Sequence, residues 1–405
     1  MKRVLHLLRK KSQLTFPFIN NQINRHVDFQ PYVGVKDNWI RDGENVFSED
    51  TVNATKYLDL GPPINTFEKL LSRSSRTLSK RQVGKLTGFI RENRIDILHF
   101  HFGTDCGTYH PLLKHIDIPS VVSFYGYDCS SFPSYAWGYG RLYLGNRVFS
   151  KVSKVFAMSP DMREDLLRAG CPADKIAVHY YGTDTRRFAL KPAYQEKSKV
   201  TLLILATLRP KKGHLFLLKS LKRLTESGVN NFTLRIVGAG VQEELLRSYV
   251  AENGLEPYVV FAGAIKYASP EMMTEYREAD IFVHPSVIAP SGDKEGIPGT
   301  VIEAMSAGIP VVSTYHAGIP YIVENEETGL LVKEQDVEAL SQAIGRLIAD
   351  VQLRRKIGLS GQAYASRYLD LDVKESELED LYRASIDDQV KVYSSNARQS
   401  NTTAP

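Results

Sequence analysis

Residues 295–305 read Glu-Gly-Ile-Pro-Gly-Thr-Val-Ile-Glu-Ala-Met, and residues 307–313 read Ala-Gly-Ile-Pro-Val-Val-Ser. A short apolar run at 281–283 precedes this stretch and is typical of a buried strand. Pro298 presets the backbone torsion of a helix start, so the amides that follow have no partner within the helix. Because such helix starts bind phosphate at the carboxyl edge of a parallel sheet, the stretch predicts an α/β fold with an anion site.

Two glutamates flank this helix start. Glu295 precedes it and Glu303 lies in its second turn, so both can face one site. Carboxylates repel phosphate but accept hydrogen bonds from neutral hydroxyls, so the pair predicts a ligand in which a sugar is joined to a diphosphate. The other interpretation is a surface loop followed by a core helix with two solvated acids. The Gly-Ile-Pro sequence between the glutamates and the apolar run at 310–313 favour the binding site.

Outward from this stretch, short apolar runs alternate with helical periodicity, which is typical of βαβ units and parallel sheets. Two series of such runs predict two sheets. The predicted strands of the first series are 4–8, 95–100, 120–124 and 154–158, and those of the second are 200–206, 233–237, 259–262, 281–283 and 310–313. The polar, aperiodic stretch at 189–199 predicts a domain linker between them.

Length and composition agree with a two-domain protein. The chain has 405 residues, of which 43% are hydrophobic and 24% charged, and a domain usually takes about 150 residues. No apolar run approaches the roughly 18 residues that span a bilayer, and the short apolar N-terminus is typical of a strand rather than a signal peptide. The three cysteines have no metal-site spacing and fit buried, reduced side chains. We therefore expect a cytoplasmic protein.

Positive charge is concentrated in the first half of the chain. Residues 1–190 carry 27 Lys and Arg against 18 Asp and Glu, whereas the remainder carries 24 against 28. The densest part, 69–94, also places leucines at helical spacing, so it predicts a basic amphipathic helix. Such a helix either lies on an anionic membrane surface or is an ordinary solvated surface helix, and the sequence leaves both open.

The motifs resemble a known family. Glu-Gly-x-Pro, Glu-Ala-Met, Gly-x-Pro-Val-Val and Gly-Ile-Pro follow one another from Glu295 to Pro320. This order resembles the retaining glycosyltransferase family 4, and within it the colanic-acid and exopolysaccharide-type enzymes. The resemblance implies a GT-B fold, in which two Rossmann-like parallel-sheet domains face a central cleft. We expect an acceptor-binding domain at 1–189, a nucleotide-sugar domain at 200–365, a helix at 366–389 that crosses back to the first domain, and a disordered tail at 390–405.

The resemblance also implies roles on the donor side. Glu295 would hold hydroxyls of the transferred sugar, and Glu303 would hold the nucleotide ribose. Lys212 would neutralise the diphosphate as it leaves. The family has an arginine five residues before this lysine, where this chain has Thr207, and Arg209 is the expected substitute. The other donor-binding residues that the resemblance implies are Gly238, Gly240, Gly296, Ile297, Pro298, Gly299 and Thr300.

In the first half, candidate catalytic residues follow two predicted strands. His101 follows the run at 95–100, where α/β proteins place their sites. Tyr125 stands where the family has a histidine that contacts the transferred sugar. His99 and His101 could share a metal, but the sequence shows no third ligand and the fold needs none. We therefore predict no metal and no cofactor, with the nucleotide sugar as co-substrate.

Four further residues are candidates for the acceptor side. Thr15 lies in a polar loop resembling the Ser/Thr-Phe loop of the exopolysaccharide enzymes, and Asp128 closes the segment that contains Tyr125. Tyr139 and Arg141 belong to an aromatic stretch, and aromatic faces stack on sugar rings. An ordinary βα turn around Thr15 and a packed surface loop around Tyr139 are the alternative interpretations.

These patterns predict a retaining glycosyltransferase that moves a hexose from a nucleotide sugar to a glycan or lipid-linked acceptor, as in exopolysaccharide or lipopolysaccharide biosynthesis. A UDP-sugar is favoured, with a GDP-sugar as the alternative donor. The competing functions are another sugar-nucleotide enzyme such as an epimerase, or a non-catalytic nucleotide-binding module. A dehydrogenase is disfavoured because position 243 has no glycine, and no nucleic-acid-binding signature is present. An anionic membrane surface remains a candidate partner of the first domain.

Overall fold

The computed structural model describes residues 1–37, 56–61, 77–190 and 194–401. The chain forms two compact units, one of residues 1–181 with 374–405 and one of residues 182–373. Each unit is built around one parallel sheet with helices packed on it. The predicted class, an α/β protein of two Rossmann-like parallel-sheet units, is confirmed.

The sheet of the first unit has seven strands in the order β3-β2-β1-β4-β5-β6-β7, all parallel. Its strands are β1 (Lys2–Lys10), β2 (Phe29–Asp37), β3 (Lys56–Asp59), β4 (Ile97–His101), β5 (Ser120–Ser123), β6 (Lys154–Ala157) and β7 (Ile176–Val178). Its helices before the second unit are α1 (Pro17–Asn24), α2 (Lys80–Glu92), α3 (Gly103–Cys106), α4 (Tyr135–Leu144) and α5 (Pro160–Arg168).

The sheet of the second unit has six parallel strands in the order β10-β9-β8-β11-β12-β13. Its strands are β8 (Val200–Leu205), β9 (Phe232–Val237), β10 (Val259–Gly263), β11 (Ile281–His284), β12 (Val311–Thr314) and β13 (Leu330–Val332). Its helices are α6 (His214–Glu226), α7 (Glu243–Glu252), α8 (Pro270–Glu278), α9 (Gly299–Ser306), α10 (Val337–Ala349) and α11 (Val351–Tyr368).

The strand order places the sites. In each sheet the direction of strand addition reverses once, between β1 and β4 in the first unit and between β8 and β11 in the second. The loops that leave two such strands diverge to opposite faces and open a crevice at the carboxyl edge. Most of the predicted site residues follow these four strands or their neighbours β5 and β9.

Helix α2 belongs to the basic stretch that suggested a membrane surface. Its N-terminus is a capping box, in which Ser79 accepts from the Gln82 amide and Gln82 returns to the Ser79 amide. Leu86 and Ile90 are buried in the core of the first unit. The apolar side of α2 therefore packs on its own sheet, as in an ordinary surface helix, and residues 69–76 lie outside the described part. Among the described helices, none is both long enough and apolar enough to cross a membrane.

The predicted linker at 189–199 lies within the second unit, because the chain joins that unit at Gly182. The Thr183 amide donates to the Leu369 carbonyl at 3.0 Å, and Phe188 is buried against the Tyr276 ring. These contacts attach the chain before the polar stretch begins. The polar composition of 189–199 marks a surface segment of the unit rather than its boundary.

The last helix, α12 (Leu371–Asn401), belongs to the first unit from Lys374 onward. Leu378 and Tyr382 are fully buried with Val4 and Phe156 in a cluster on one face of the first sheet. The predicted disordered tail is wrong as far as Asn401, because residues 371–401 contain no glycine or proline to end the helix. Residues 402–405 lie outside the described part. Cys106, Cys129 and Cys171 are buried and free, as expected.

Candidate functional site

The loop after β8 carries Lys212 and depends on the glycine that follows it. Gly213 is left-handed, with φ of 73°, and a Cβ atom there would lie 1.8 Å from the Pro285 carbonyl oxygen. Only glycine therefore lets this loop approach the segment that leaves β11. This close approach places Lys212 beside Glu295.

The Lys212 ammonium lies 3.0 Å from Oε1 of Glu295, and the Lys211 ammonium lies 4.0 Å from the same oxygen. Burial alone would raise the pKa of Glu295, but the charges of Lys212 and Lys211 outweigh it and lower that pKa to about 2. The Glu295 carboxylate is thus ionised at neutral pH, the state in which it accepts hydrogen bonds from hydroxyls.

Two residues that the sequence analysis missed fix the Glu295 loop. The Glu295 amide donates to Nε2 of His316 at 3.1 Å, and Nδ1 of His316 lies 2.6 Å from Oε1 of Glu334. His316 therefore donates through Nδ1 and accepts through Nε2. The signal was its place next to the Ala-Gly-Ile-Pro motif, in which Gly318 donates to the Gly296 carbonyl at 3.1 Å. A Cβ atom on Gly318 would lie 2.5 Å from that carbonyl oxygen.

Glu303 lies in α9, which begins after an extended Pro298 as predicted. Its side chain is buried, and the Tyr276 hydroxyl donates to Oε2 at 2.6 Å. Burial raises the pKa of Glu303 to about 7, and the bond from Tyr276 opposes this shift only in part. Glu303 therefore changes charge in the neutral range, whereas Glu295 does not. Tyr276 on α8 was not among the predicted residues.

Gly238 and Gly240 shape the donor loop from the other side. Gly238 has φ of 148°, and a Cβ atom there would lie 2.0 Å from the Ala206 carbonyl oxygen. A Cβ atom on Gly240 would lie 2.6 Å from the Leu208 carbonyl oxygen. The two glycines thus let the turn after β9 pack on the loop after β8. Arg209, the expected substitute for the family's arginine, is exposed in that loop.

Two buried histidines near Lys212 were not predicted to have a role. His284 ends β11 and His214 begins α6, directly after Gly213. Within the described residues, none of their ring nitrogens has a hydrogen-bond partner. Burial and the Lys212 charge lower the pKa of His284, and the same causes lower that of His214 to about 3. Buried polar atoms without partners are rare in folded proteins, and their presence beside Lys212 favours a polar ligand there.

In the first unit the structure joins the two candidate catalytic residues. Nδ1 of His101 lies 2.8 Å from the Tyr125 hydroxyl. Burial lowers the pKa of His101 to about 3, so its imidazole is neutral. The ring of Tyr125 packs on Phe18 and Phe102, with centroids 4.6 Å and 4.8 Å away. These residues form an aromatic cluster at the carboxyl ends of β4 and β5.

The acceptor-side candidates have different surroundings. Asp128 is buried, and its carboxylate accepts from the amides of Gly103, Tyr125 and Gly126 at 2.8–3.2 Å. It therefore ties the loops after β4 and β5 together. Thr15 is exposed and donates to the Ser12 carbonyl, and Tyr139 and Arg141 are exposed on α4. The contacts of these three leave their side chains accessible.

The third histidine that the sequence did not show is His6, which pairs with His99 in the β1–β4 register. His6, His99 and His101 place ring nitrogens within 4.8 Å of one another. Every ring nitrogen of the three already has a hydrogen-bond partner: His101 and His26 for His6, Tyr382 and Ser123 for His99, and His6 and Tyr125 for His101. The expectation that the protein needs no metal stays a prediction.

Comparison with known proteins agrees with both halves of this site. Residues 55–187 match the family model described as Glycosyltransferase Family 4, and residues 199–350 match the one described as Glycosyl transferases group 1. The chain belongs to the family 4 glycosyltransferases. The Lys212–Glu295 pair and the Glu303 site lie within the second match, and His101, Tyr125 and Asp128 lie within the first.

This glycosyltransferase has relatives named for polysaccharide biosynthesis. WcaL of Escherichia coli (strain K12), assigned to colanic acid biosynthesis, is 35% identical over 266 residues, which are 64% of this chain and 62% of WcaL. The amylovoran biosynthesis glycosyltransferase AmsK of Erwinia amylovora is 33% identical over 258 residues, 62% of this chain and 61% of AmsK. A GDP-mannose-dependent mannosyltransferase of Mycobacterium tuberculosis is 29% identical over 246 residues, 58% of this chain and 63% of that protein. The match thus spans about three fifths of each relative's length.

Solved glycosyltransferase structures share the fold. HepE from Anabaena, solved in complex with UDP and glucose, superposes with a TM-score of 0.73 over 94% of this chain and 99% of HepE. The sequence identity is 18%, so this likeness concerns the fold alone. It agrees with the predicted GT-B architecture of two parallel-sheet units.

Proposed function

We propose that this chain is a retaining hexosyltransferase that uses a nucleotide sugar, with a UDP-sugar favoured over a GDP-sugar. The acceptor would be a glycan or lipid-linked glycan of exopolysaccharide or lipopolysaccharide type. The observation that carries the proposal is the buried Lys212–Glu295 pair, which joins a cation to a permanently ionised carboxylate before the α9 start. A cation for diphosphate beside an acceptor for sugar hydroxyls is the combination that a sugar nucleotide needs.

In the proposed reaction, Lys212 and the first amides of α9 bind the diphosphate, and Glu295 holds hydroxyls of the hexose. The bond between C1 of the hexose and the diphosphate breaks, and an acceptor oxygen bonds to C1 on the same face. The proton of the acceptor hydroxyl passes to the departing phosphate. Such a reaction depends on positioning and on stabilising the leaving charge rather than on a protein nucleophile.

The choice of base and sugar rests on weaker support. HepE was solved with UDP and glucose, whereas one relative of this chain is named as GDP-mannose-dependent. The first two relatives are named for colanic acid and amylovoran biosynthesis, which supports a polysaccharide acceptor. We place UDP first because UDP-bound structures share the fold over nearly the whole chain.

A thermal-shift panel of UDP-, GDP- and ADP-sugars tests donor binding, and slow release of UDP from a UDP-hexose tests transfer to water. Glu295→Ala should abolish release while free UDP still binds, because this carboxylate is proposed to contact only the sugar. Glu252→Ala, an exposed acid at the end of α7, is the matched control and should behave as the wild type. A panel in which no nucleotide sugar stabilises the fold contradicts the proposal, as does equal loss of UDP affinity in Glu295→Ala.

A further inference from the structure

A chain of contacts links Tyr125 to a buried carboxylate of α12. The Tyr125 hydroxyl lies 2.8 Å from Nδ1 of His101, and Nε2 of His101 lies 3.0 Å from Nδ1 of His6. Nε2 of His6 lies 2.9 Å from Nε2 of His26. Nδ1 of His26 in turn lies 3.3 Å from Oε1 of Glu379. Each imidazole thus uses one ring nitrogen toward Tyr125 and the other toward the carboxylate.

The fold explains why these residues meet. His6 lies on β1 and His101 on β4, the two strands at which the first sheet reverses its order. His6 pairs with His99, so His6 and His101 lie on the same face of adjacent strands. Helix α12 covers this face and brings Glu379 to His26, which follows α1.

The carboxylate end of the chain is rigidly held. Glu379 is buried, and its oxygens accept from the amides of Val27 and Asp28 at 2.8–3.1 Å. Burial opposes its ionisation, but the contact with His26 and the two amides outweighs burial and lowers the pKa of Glu379. A second carboxylate oxygen, Oε2 of Glu375, lies 3.9 Å from Nδ1 of His26. Two acids on one side of the ring require that Nδ1 of His26 carry a proton.

That requirement propagates along the chain. With the proton on Nδ1, the Nε2 of neutral His26 can only accept, so Nε2 of His6 must donate to it. Nδ1 of His6 then accepts from Nε2–H of His101, and Nδ1 of His101 accepts from the Tyr125 hydroxyl. Burial lowers the pKa of both His6 and His101, so each holds a single ring proton.

We propose that Glu379, His26, His6 and His101 are positioning residues that hold the Tyr125 hydroxyl proton toward the protein interior. Tyr125 then presents only an acceptor oxygen to a sugar or acceptor hydroxyl at the strand ends. This role rests on the proposed transferase function. It explains how a tyrosine can serve at a position where the family has histidine, since an accepting nitrogen and an accepting phenolic oxygen offer a substrate the same interaction.

A metal bound by His6, His99 and His101 is the competing interpretation of the same cluster. The rings of His99 and His101 are stacked, with centroids 4.4 Å apart and planes 27° from parallel, rather than converging on one point. The ring nitrogens are also all engaged in hydrogen bonds, as described above. The geometry therefore favours the hydrogen-bonded chain.

Histidine tautomers test the chain without any substrate. In protein labelled with ¹⁵N-histidine, NMR should show a proton on Nδ1 of His26 and on Nε2 of both His6 and His101. Single variants of each histidine assign the signals. A proton on Nδ1 of His101 overturns the proposal, because Tyr125 would then accept from the ring. Stoichiometric transition metal that disappears in His6→Phe also overturns it.

Kinetics test whether the chain acts through Tyr125. Both His6→Phe and Tyr125→Phe should lower kcat about tenfold, the effect of one lost hydrogen bond to a substrate hydroxyl, with donor KM unchanged. The double variant should be no slower than Tyr125→Phe alone. If the two losses multiply to about a hundredfold, His6 acts independently of Tyr125 and the proposal fails.

Two further variants complete the design. His179→Phe changes a buried histidine of the same unit that bonds the Lys374 carbonyl and lies outside the chain, so it should retain wild-type kcat. Glu379→Gln keeps an oxygen for the Val27 and Asp28 amides and replaces His6→Phe if that variant does not fold. Failure of the nucleotide-sugar panel would refute the transferase function, whereas the tautomer pattern decides the hydrogen-bonded chain separately.

Discussion

The Tyr276 hydroxyl donates a hydrogen bond of 2.6 Å to Oε2 of Glu303, and both side chains are almost entirely buried. Burial raises the pKa of Glu303 to about 7, and the bond from Tyr276 limits the rise. The charge of the proposed ribose-binding residue is therefore adjustable at neutral pH. Glu295, beside two lysines, has no such freedom.

We expect donor affinity to increase several-fold between about pH 6 and pH 8, because the ionised Glu303 is the stronger acceptor for ribose hydroxyls. Calorimetric titration with a UDP-hexose measures this, since its diphosphate diester does not titrate in that range. Tyr276→Phe should move the midpoint to higher pH, because it removes a bond to the carboxylate. Glu303→Gln should bind equally at both values, and a persisting pH dependence in that variant would assign the titration to another group.

Glu303 should also make the unliganded protein less stable as pH rises. The folded pKa of about 7 exceeds the reference value of 4.5, so the unfolded chain loses its proton first. Stability from this group is full below about pH 4.5 and is lost as pH rises to about 7. Glu303→Gln should therefore gain up to about 3 kcal/mol over wild type at pH 8 relative to pH 5. Urea unfolding at the two pH values measures the difference.

Removing Lys212 should destabilise the second unit as well as weaken donor binding. Lys212→Met leaves the buried Glu295 without its nearest cation, and we expect a loss of about 3 kcal/mol in the free energy of unfolding. Lys212→Met combined with Glu295→Met should recover most of that loss, because no uncompensated charge remains. Urea unfolding of the three proteins tests this. Equal stability of the single and double variants would contradict the assigned ion pair.

Gly213→Ala should be far more harmful than the same change at Gly228. Both glycines have positive φ, 73° and 88°, so alanine is strained at either position by about 1 kcal/mol. A Cβ atom at 228 meets nothing within 4 Å, whereas one at 213 meets the Pro285 carbonyl oxygen. We expect Gly213→Ala to lose about 3 kcal/mol or more and to bind UDP-sugar weakly, since Lys212 must move. Similar thermal shifts for the two variants would show that the close approach is not required.

Asp128→Ala should destabilise the first unit by about 3 kcal/mol, because three backbone amides lose their acceptor. Asp128→Asn keeps one oxygen and should lose less. Chemical denaturation gives the order wild type, Asn, Ala. If Asp128 instead serves only an acceptor sugar, both variants will unfold as the wild type does and lose activity alone.

The donor half of the site was largely predictable because local sequence determines it. The Pro298 helix start, the glycines and Lys212 act within loops whose strands were recognised from continuous apolar runs. The missed strands β3, β7 and β13 have three or four residues each, and β2 contains Pro31 and Gly34. Such strands give no apolar run long enough to recognise.

The chain from Tyr125 to Glu379 was not predictable, because no two of its consecutive members are close in sequence. His6 and His101 meet through the pairing of β1 with β4, and His26 and Glu379 meet through the return of α12. The sequence analysis saw His99 and His101 and lacked a third partner for the same reason. Long-range pairing of this kind carries no local signal.

Helix α12 also constrains the order in which the protein can fold. The ribosome makes residues 1–181 first, then the whole second unit, and only then the segment from Lys374. Until that segment emerges, the sheet face containing Val4 and Phe156 lacks Leu378 and Tyr382, and His26 lacks its acids. The first unit is thus the first to be synthesised and the last to complete its core, and during this interval its uncovered apolar surface is a point of exposure to aggregation.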